Sequence, residues 1–237
     1  VRAGEQIAEY VWAGLEGSIV PTAVNSSSLP PEVLDEVRPY APACKMMGRM
    51  AADILSAIPR KLKISLEGKL SDSSPDVLIA SVIDGILSYK EIGTISMANA
   101  LEMAARHGIE IDASSTDDAG EYASVVRIKA DDIEIASTMY GKDQTARIVS
   151  ILGYKIDISP AKQSLIFEYA DGPGRIGVIG TILGEEGINI TTMQIGTKPE
   201  EKNALVYLNI DGCVTEKVIE RLKESVADLK SLMYIKL

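Results

Sequence analysis

Apolar and polar residues alternate strictly through Lys61-Leu-Lys-Ile-Ser-Leu-Glu67, the period of a strand with one face buried. The same period returns at 109–114, 122–129, 133–139, 146–152 and 154–158. Ala130-Asp131-Asp132 and Gly153 are the expected turns of two hairpins. Between the first two of these strands the period becomes helical, over 77–88 and 96–106, with His107-Gly108 as the stop; a longer helix over 44–58 comes before them. Met46, Met47 and Met50 share that longer helix with Ile54 and Leu55, and their spacing marks core rather than a methionine-lined groove. Farther upstream, Ile7, Val11 and Leu15 stripe one face of a helix over 4–15, with Tyr10 and Trp12 beside the stripe and Gly17 after it. Pro21 then forces 18–25 to be extended, and 26–31 is a turn or linker before a short helix over 31–37. Mixed in this way, the first sheet should be largely antiparallel with helices on one face.

Ser159-Pro-Ala-Lys-Gln163 reads as a boundary. After it the pattern predicts strand 164–170, helix 175–186, strand 188–197, strand 204–210, helix 215–227 and strand 229–237, with a loop at 197–203. That βαββαβ order is the split, ferredoxin-like unit, and the fold class is α+β. The turn between its first strand and helix is Asp171-Gly-Pro-Gly, in which Asp171 can cap and Pro173 sits where a missing N–H does no harm. Ile176, Ile179 and Leu183 then give the helix one apolar face. Gly172-Pro-Gly-Arg-Ile-Gly177 also satisfies G-x-G-x-x-G, but a dinucleotide fold needs an acid about 20 residues on. Asn189-Ile-Thr-Thr-Met-Gln194 occupies that region with none.

Composition narrows the picture. With 237 residues and 46% hydrophobic content the chain can bury the cores of two domains. A formal net charge of -10 disfavours nucleic acid and anionic membrane surfaces. No apolar run is long enough to span a bilayer and no secretory pattern opens the chain. Cys44 and Cys213 are isolated, so neither a zinc cluster nor a disulfide framework is expected, and a reduced, cytoplasmic setting fits. His107, at a helix end, is the only histidine and reads as a polar cap or dipole partner. No catalytic set and no metal site is expected in this stretch, and Val1-Arg-Ala-Gly opens in mid-pattern, like part of a longer polypeptide.

Tyr169-Ala-Asp-Gly-Pro-Gly-Arg-Ile-Gly177, with Gly187-Ile-Asn-Ile190 closing the helix, resembles the ACT domain, a regulatory module that binds amino acids between paired copies. Ala8-Glu-Tyr-Val-Trp-Ala-Gly-Leu-Glu-Gly17, Pro21-Thr-Ala-Val-Asn25 and Leu29-Pro-Pro-Glu-Val33 resemble the junction of catalytic part and intervening domain in long 3-phosphoglycerate dehydrogenases. The resemblance implies three segments: 1–25 the end of the catalytic part, 26–159 the intervening (allosteric substrate-binding) domain, and 160–237 the ACT domain. It implies a parent enzyme that uses NAD to oxidise 3-phosphoglycerate, with neither cofactor site nor catalytic residues in this piece. It also implies L-serine as a feedback inhibitor, bound where ACT domains meet in a homodimer or homotetramer.

Carried onto this chain, the serine-contacting positions are Tyr169, Asp171 and Asn189. Asp171 can pair with an ammonium, the Asn189 amide can serve either end of the ligand, and helix-start N–H groups at Gly174 and Arg175 can take a carboxylate. Each has a plainer alternative, namely a cap for Asp171, a turn residue for Asn189 and core for Tyr169. Gly172 makes the turn more flexible than a residue with a side chain would. The resemblance also implies an anion, phosphate or phosphoglycerate, near the domain junction, for which Arg147 and Lys155 are the candidates and Lys129 a weaker one. Surface cations on an acidic protein are more often merely solvated or paired. Two other functions fit the same domains: the regulatory part of an iron–sulfur L-serine dehydratase, whose cysteine-ligated cluster would lie elsewhere, and an oligomerisation module that has lost its ligand.

Overall fold

The structure, a computed structural model, describes residues 36–236 apart from 91–94, 143 and 199, together with residues 4, 7, 10 and 12. Apart from those four positions, the expected helix over 4–15 and extended segment 18–25 lie outside the described residues, as does most of the short helix over 31–37.

A 3₁₀ turn, Arg38–Tyr40, leads into helix α1, Ala41–Leu55. The helix begins earlier than its apolar spacing suggested, because Pro42 is accommodated in the first turn, where no N–H partner is needed. It ends earlier too: Ser56 adopts left-handed geometry and its N–H closes on Ala52 and Asp53. The chain continues through β1 (Lys61–Gly68), α2 (Asp76–Ser88), α3 (Ala100–Arg106), β2 (Glu110–Thr116), β3 (Ser124–Ala130), β4 (Ile133–Tyr140), β5 (Thr145–Ile151) and β6 (Tyr154–Ile158). Helix α3 is shorter than the expected 96–106. Asn99 Oδ1 accepts the Ser96 N–H at 2.8 Å and holds the residues ahead of the helix in a turn.

These six strands form one sheet in the order β2-β1-β3-β4-β5-β6. All neighbours are antiparallel except β1 and β2, which run parallel with α2 and α3 between them in sequence. Leu62, Ile64, Leu66, Val126, Ile128 and Ala130, none more than 1% exposed, face the helices and join Met47, Met50, Ile83 and Leu87 in one core. Their alternates Lys63, Ser65, Arg127 and Lys129 face away, so the helices do lie on one side. Helices α1 and α2 cross closely. A Cβ at Gly85 would lie 1.8 Å from the Lys45 carbonyl oxygen, and one at Gly48 would lie 2.1 Å from that of Val82.

The second unit is β7 (Gln163–Ala170), α4 (Arg175–Glu185), β8 (Asn189–Lys198), β9 (Asn203–Asp211), α5 (Glu216–Ser225) and β10 (Leu229–Lys236), the expected βαββαβ order. Its sheet runs β10-β7-β9-β8, antiparallel throughout. Thr215 caps α5 by accepting the Val218 N–H, which places the helix start one residue inside the expectation. Leu165, Phe167, Tyr169, Val206 and Leu208 face Ile179, Leu183, Val218 and Leu222 of the two helices. Ile182 also joins this core, beside the expected Ile179 and Leu183, while Ile176 is only partly buried. The opposite face of the sheet is covered by the first unit. Ile166, Leu205, Tyr207 and Ile235 share a core with Tyr154, Ile156 and Ile158. At the seam the Asn209 amide donates to the Ser159 carbonyl (2.7 Å), Ser164 donates to Asn209 Oδ1 (3.0 Å), and the Tyr154 hydroxyl donates to Glu168 (2.8 Å).

Gly85→Ala should lower stability by about 3 kcal/mol, because the added methyl meets fixed backbone rather than a side chain that can turn away. A denaturant midpoint unchanged from the parent would show that α1 and α2 do not cross this closely.

Candidate functional site

Strand β7 delivers Tyr169 and Asp171 to opposite environments. Tyr169 points under the helices and is 2% exposed. Burial raises its phenol above the usual tyrosine range; Asp171 adds to the rise and Arg175 opposes it. Asp171 and Arg175 are therefore each within electrostatic reach of Tyr169. Asp171 lies just past the strand. Its backbone N–H donates to the Lys202 carbonyl (2.8 Å), while its exposed carboxylate has no partner among the described residues.

Asp171 does not cap α4 as the sequence suggested. Gly174 holds the N-cap position in left-handed geometry (φ 86°), with no side-chain hydrogen bond and no acid in the first turn. The extra residues of the Gly-Pro-Gly turn carry Asp171 beyond capping reach. The helix start is therefore bare, with unpaired N–H groups and the positive end of the helix dipole facing outward. Arg175 opens the helix. Its Nη2 donates to Asp228 Oδ2 at 2.7 Å, and its Nε is buried with no partner among the described residues. Asp228 is held in place by its own carbonyl, which accepts the Ala170 N–H (3.1 Å).

Asn189 does not join this group within one chain. Ala170 at the end of β7 pairs with Asn203, the first residue of β9, whereas Asn189 pairs with Asp211, the last. At about 3.3 Å per residue those ends lie roughly 26 Å apart. Tyr169, Asp171, Gly174 and Arg175 gather at one end of the sheet, and exposed Asn189 stands at the other.

The anion candidates stand apart from this group, and Lys155 and Lys129 border adjoining clefts that share Glu67, Arg127 and Glu134. Arg147 Nε donates to Asp157 Oδ1 (2.6 Å), Nη1 to Ser159 Oγ (3.1 Å) and Nη2 to the Asp157 carbonyl (3.1 Å), with the guanidinium over the Tyr140 ring. Lys155 lines a separate cleft of about 480 Å³ with Glu67, Arg127 and Glu134. Lys129 stands opposite Lys63 and Glu134 on the open face of the first sheet. His107 is the exposed C-cap of α3.

Three features were not anticipated. Asp228 reaches Arg175 from the α5–β10 turn, a pairing between residues far apart in sequence. Arg127 is clamped by Glu67 at 2.8 and 3.2 Å and by Glu134 at 3.1 Å. Along the edge strand β8, Met193 and Ile195 are 41% and 45% exposed, and Val178 of α4 is 36% exposed. Alternation in 193–195 was a visible signal of a strand, but not of an uncovered one.

Comparison with known proteins matches the D-3-phosphoglycerate dehydrogenase intervening domain to residues 36–152 and the ACT domain to residues 163–227. D-3-phosphoglycerate dehydrogenase of Methanocaldococcus jannaschii is 28% identical, over 99% of this chain and 45% of the relative. That of Mycobacterium tuberculosis is 30% identical over 96% of this chain and 45% of the relative, and that of Bacillus subtilis 25% over 100% and 46%. The chain thus spans about half the length of the curated relatives it matches. No helix among the described residues is long and apolar enough to cross a membrane.

Arg147→Met should cost about 1 kcal/mol or less, because its partner Asp157 is 60% exposed and surface ion pairs contribute little. A much larger loss in a thermal or denaturant melt would mean that the guanidinium is structural, packed between Tyr140 and the interdomain linker.

Proposed function

We propose, from the premise that the chain belongs to the family joining a D-3-phosphoglycerate dehydrogenase intervening domain to an ACT domain, that it binds L-serine as a feedback inhibitor between the ACT domains of two copies. The observation that carries the reading is the unpartnered Asp171 carboxylate beside the bare start of α4. An ammonium pairs with the first and a carboxylate with the second, which is the charge pattern of an amino acid.

The topology supports a second copy as the partner. β8 is the last strand in its sheet order, so among the described residues no strand pairs with its outer edge, and exposed Met193, Ile195 and Val178 lie beside it. β8 runs from the Asn189 end of the sheet to the Asp171 end. Antiparallel pairing of two β8 strands about a two-fold axis therefore carries the Asn189 of one copy to the Asp171 end of the other. Asn189, stranded within one chain, becomes a ligand group in the dimer. Pairing through the intervening domains as well would give a tetramer.

In this reading NAD, 3-phosphoglycerate and the catalytic residues belong to the rest of a cytoplasmic parent enzyme of serine synthesis. The chain acts on them by shifting the populations of domain arrangements. The relatives, each a D-3-phosphoglycerate dehydrogenase, support this parent over a serine dehydratase. Phosphate or phosphoglycerate at Arg147 would have to displace Asp157, and Lys155 would have to act from a different cleft.

Titration calorimetry of the chain with L-serine should give saturable heat. At a hundredfold excess over Kd the melt should show about 2.7 kcal/mol of added stability. Asn189→Ala should weaken binding, and Ile195→Lys should abolish both the dimer in sedimentation and the heat. A dimer that gives no heat at high serine would refute the reading, as would full serine affinity in a monomer.

A further inference from the structure

Arg175 is held in an arrangement that leaves half of its recognition edge idle. The Nε–H and one Nη–H of a guanidinium form a fork that fits both oxygens of a carboxylate. Here Nη2 donates to Asp228 Oδ2 at 2.7 Å while Nε, on the same edge, is buried with no partner among the described residues. A buried N–H without a partner marks a conformation that another arrangement can improve on. The Asp228 side chain is 65% exposed and that of Arg175 only 23% exposed, so the anion is easily exchanged and the cation is already largely covered. The space over the turn is also open to the guanidinium. Nη2 lies 3.6 Å from where a Cβ of Gly172 would be, an ordinary van der Waals distance, so the guanidinium lies over the turn. Asp171, the only other charged side chain of the 169–175 turn, has no partner among the described residues, and Arg175 has not turned to it.

We propose that Asp228 is an internal stand-in for the effector carboxylate, and that binding transfers the Arg175 fork from Asp228 to the ligand. The inference rests on the amino-acid reading of this turn and sharpens it. Asp171 takes the ammonium, Arg175 takes the carboxylate by side chain in addition to the helix-start N–H groups, and the ligand class is an α-amino acid with a free carboxylate. One Arg–Asp hydrogen bond is exchanged for two, and Nε gains its partner. Release of Asp228 also frees the α5–β10 turn, whose backbone carbonyl holds Ala170 at the end of β7. Effector binding is thereby coupled to the strand that packs on the first domain.

The test compares L-serine with ethanolamine, its counterpart lacking the carboxylate, by calorimetry on the full chain. The wild type should favour serine by at least about tenfold. Arg175→Gln should weaken serine about 10- to 100-fold and leave ethanolamine unchanged, and Arg175→Lys, which keeps the charge and loses the fork, should fall between. Asp228→Asn removes the competitor and should tighten serine binding. A pair with a purely structural role would make the Asp228 and Arg175 variants fail together. Loss of serine affinity in both, or an unchanged serine-to-ethanolamine ratio in Arg175→Gln, overturns this inference while the amino-acid site stands. A wild-type dimer that binds no serine overturns both.

Discussion

The two domains are held by a contact that leaves no room for a side chain. At Gly196 the edge strand β8 lies so close to β6 that a Cβ would come within 2.8 Å of the Lys155 carbonyl and 3.0 Å of the Tyr154 Cβ. Backbone approach of this kind is stiff, because neither surface can relax by changing a rotamer. Around it Tyr207, Leu205, Ile166 and Ile235 of the second sheet pack into the core of the first domain. The strand that begins at Asn189 and forms the outer strand of the second sheet is therefore the strand that bears on the first domain. A displacement of β8 has to be met by β6 and the hairpin that carries Arg147.

Polar groups at the same seam set its register. Asn209 links Ser164 to the carbonyl of Ser159, which anchors the interdomain linker to the middle of the second sheet. Tyr154 donates to Glu168, and burial followed by that carboxylate raises the phenol well above its usual range, so the hydroxyl keeps its proton as a donor. Buried polar groups cost stability unless paired, so sliding the sheets apart by one residue would strand several at once. Apolar burial supplies most of the adhesion, and these bonds select one alignment from the many that a greasy interface would accept.

Much of this was legible in the sequence, because periods of two and of about 3.6 are local properties of the chain. Every expected strand of 61–158 and the whole βαββαβ order of the second unit are present. The misplaced boundaries share a local cause: Pro42 could be accommodated inside a helix, and Asn99 made a turn where spacing alone suggested helix. Strand order is different in kind. The parallel pairing of β1 with β2 and the outer position of β8 depend on which distant segments meet, and alternation carries no information about that. The site divides the same way. The turn at 169–175 could be seen as a candidate, but the bond from Arg175 to Asp228 joins residues brought together only by the return of β10 beside β7.

The distance between Asp171 and Asn189 gives the amino-acid reading its thermodynamic form. A site complete in one chain would bind its ligand whatever the state of assembly. A site split between the two ends of an edge strand can close only when a second copy pairs antiparallel, so ligand affinity and dimer affinity must rise together by the same factor. A dimer paired in the proposed way would offer two such sites by symmetry, each with one copy's turn and the other's Asn189. Occupying either site would stabilise the same proposed β8–β8 seam, and β8 itself bears on the first domain at Gly196. On the proposed reading regulation would need no separate relay, because the strand that the ligand would join to a second copy is also the strand that packs on the first domain.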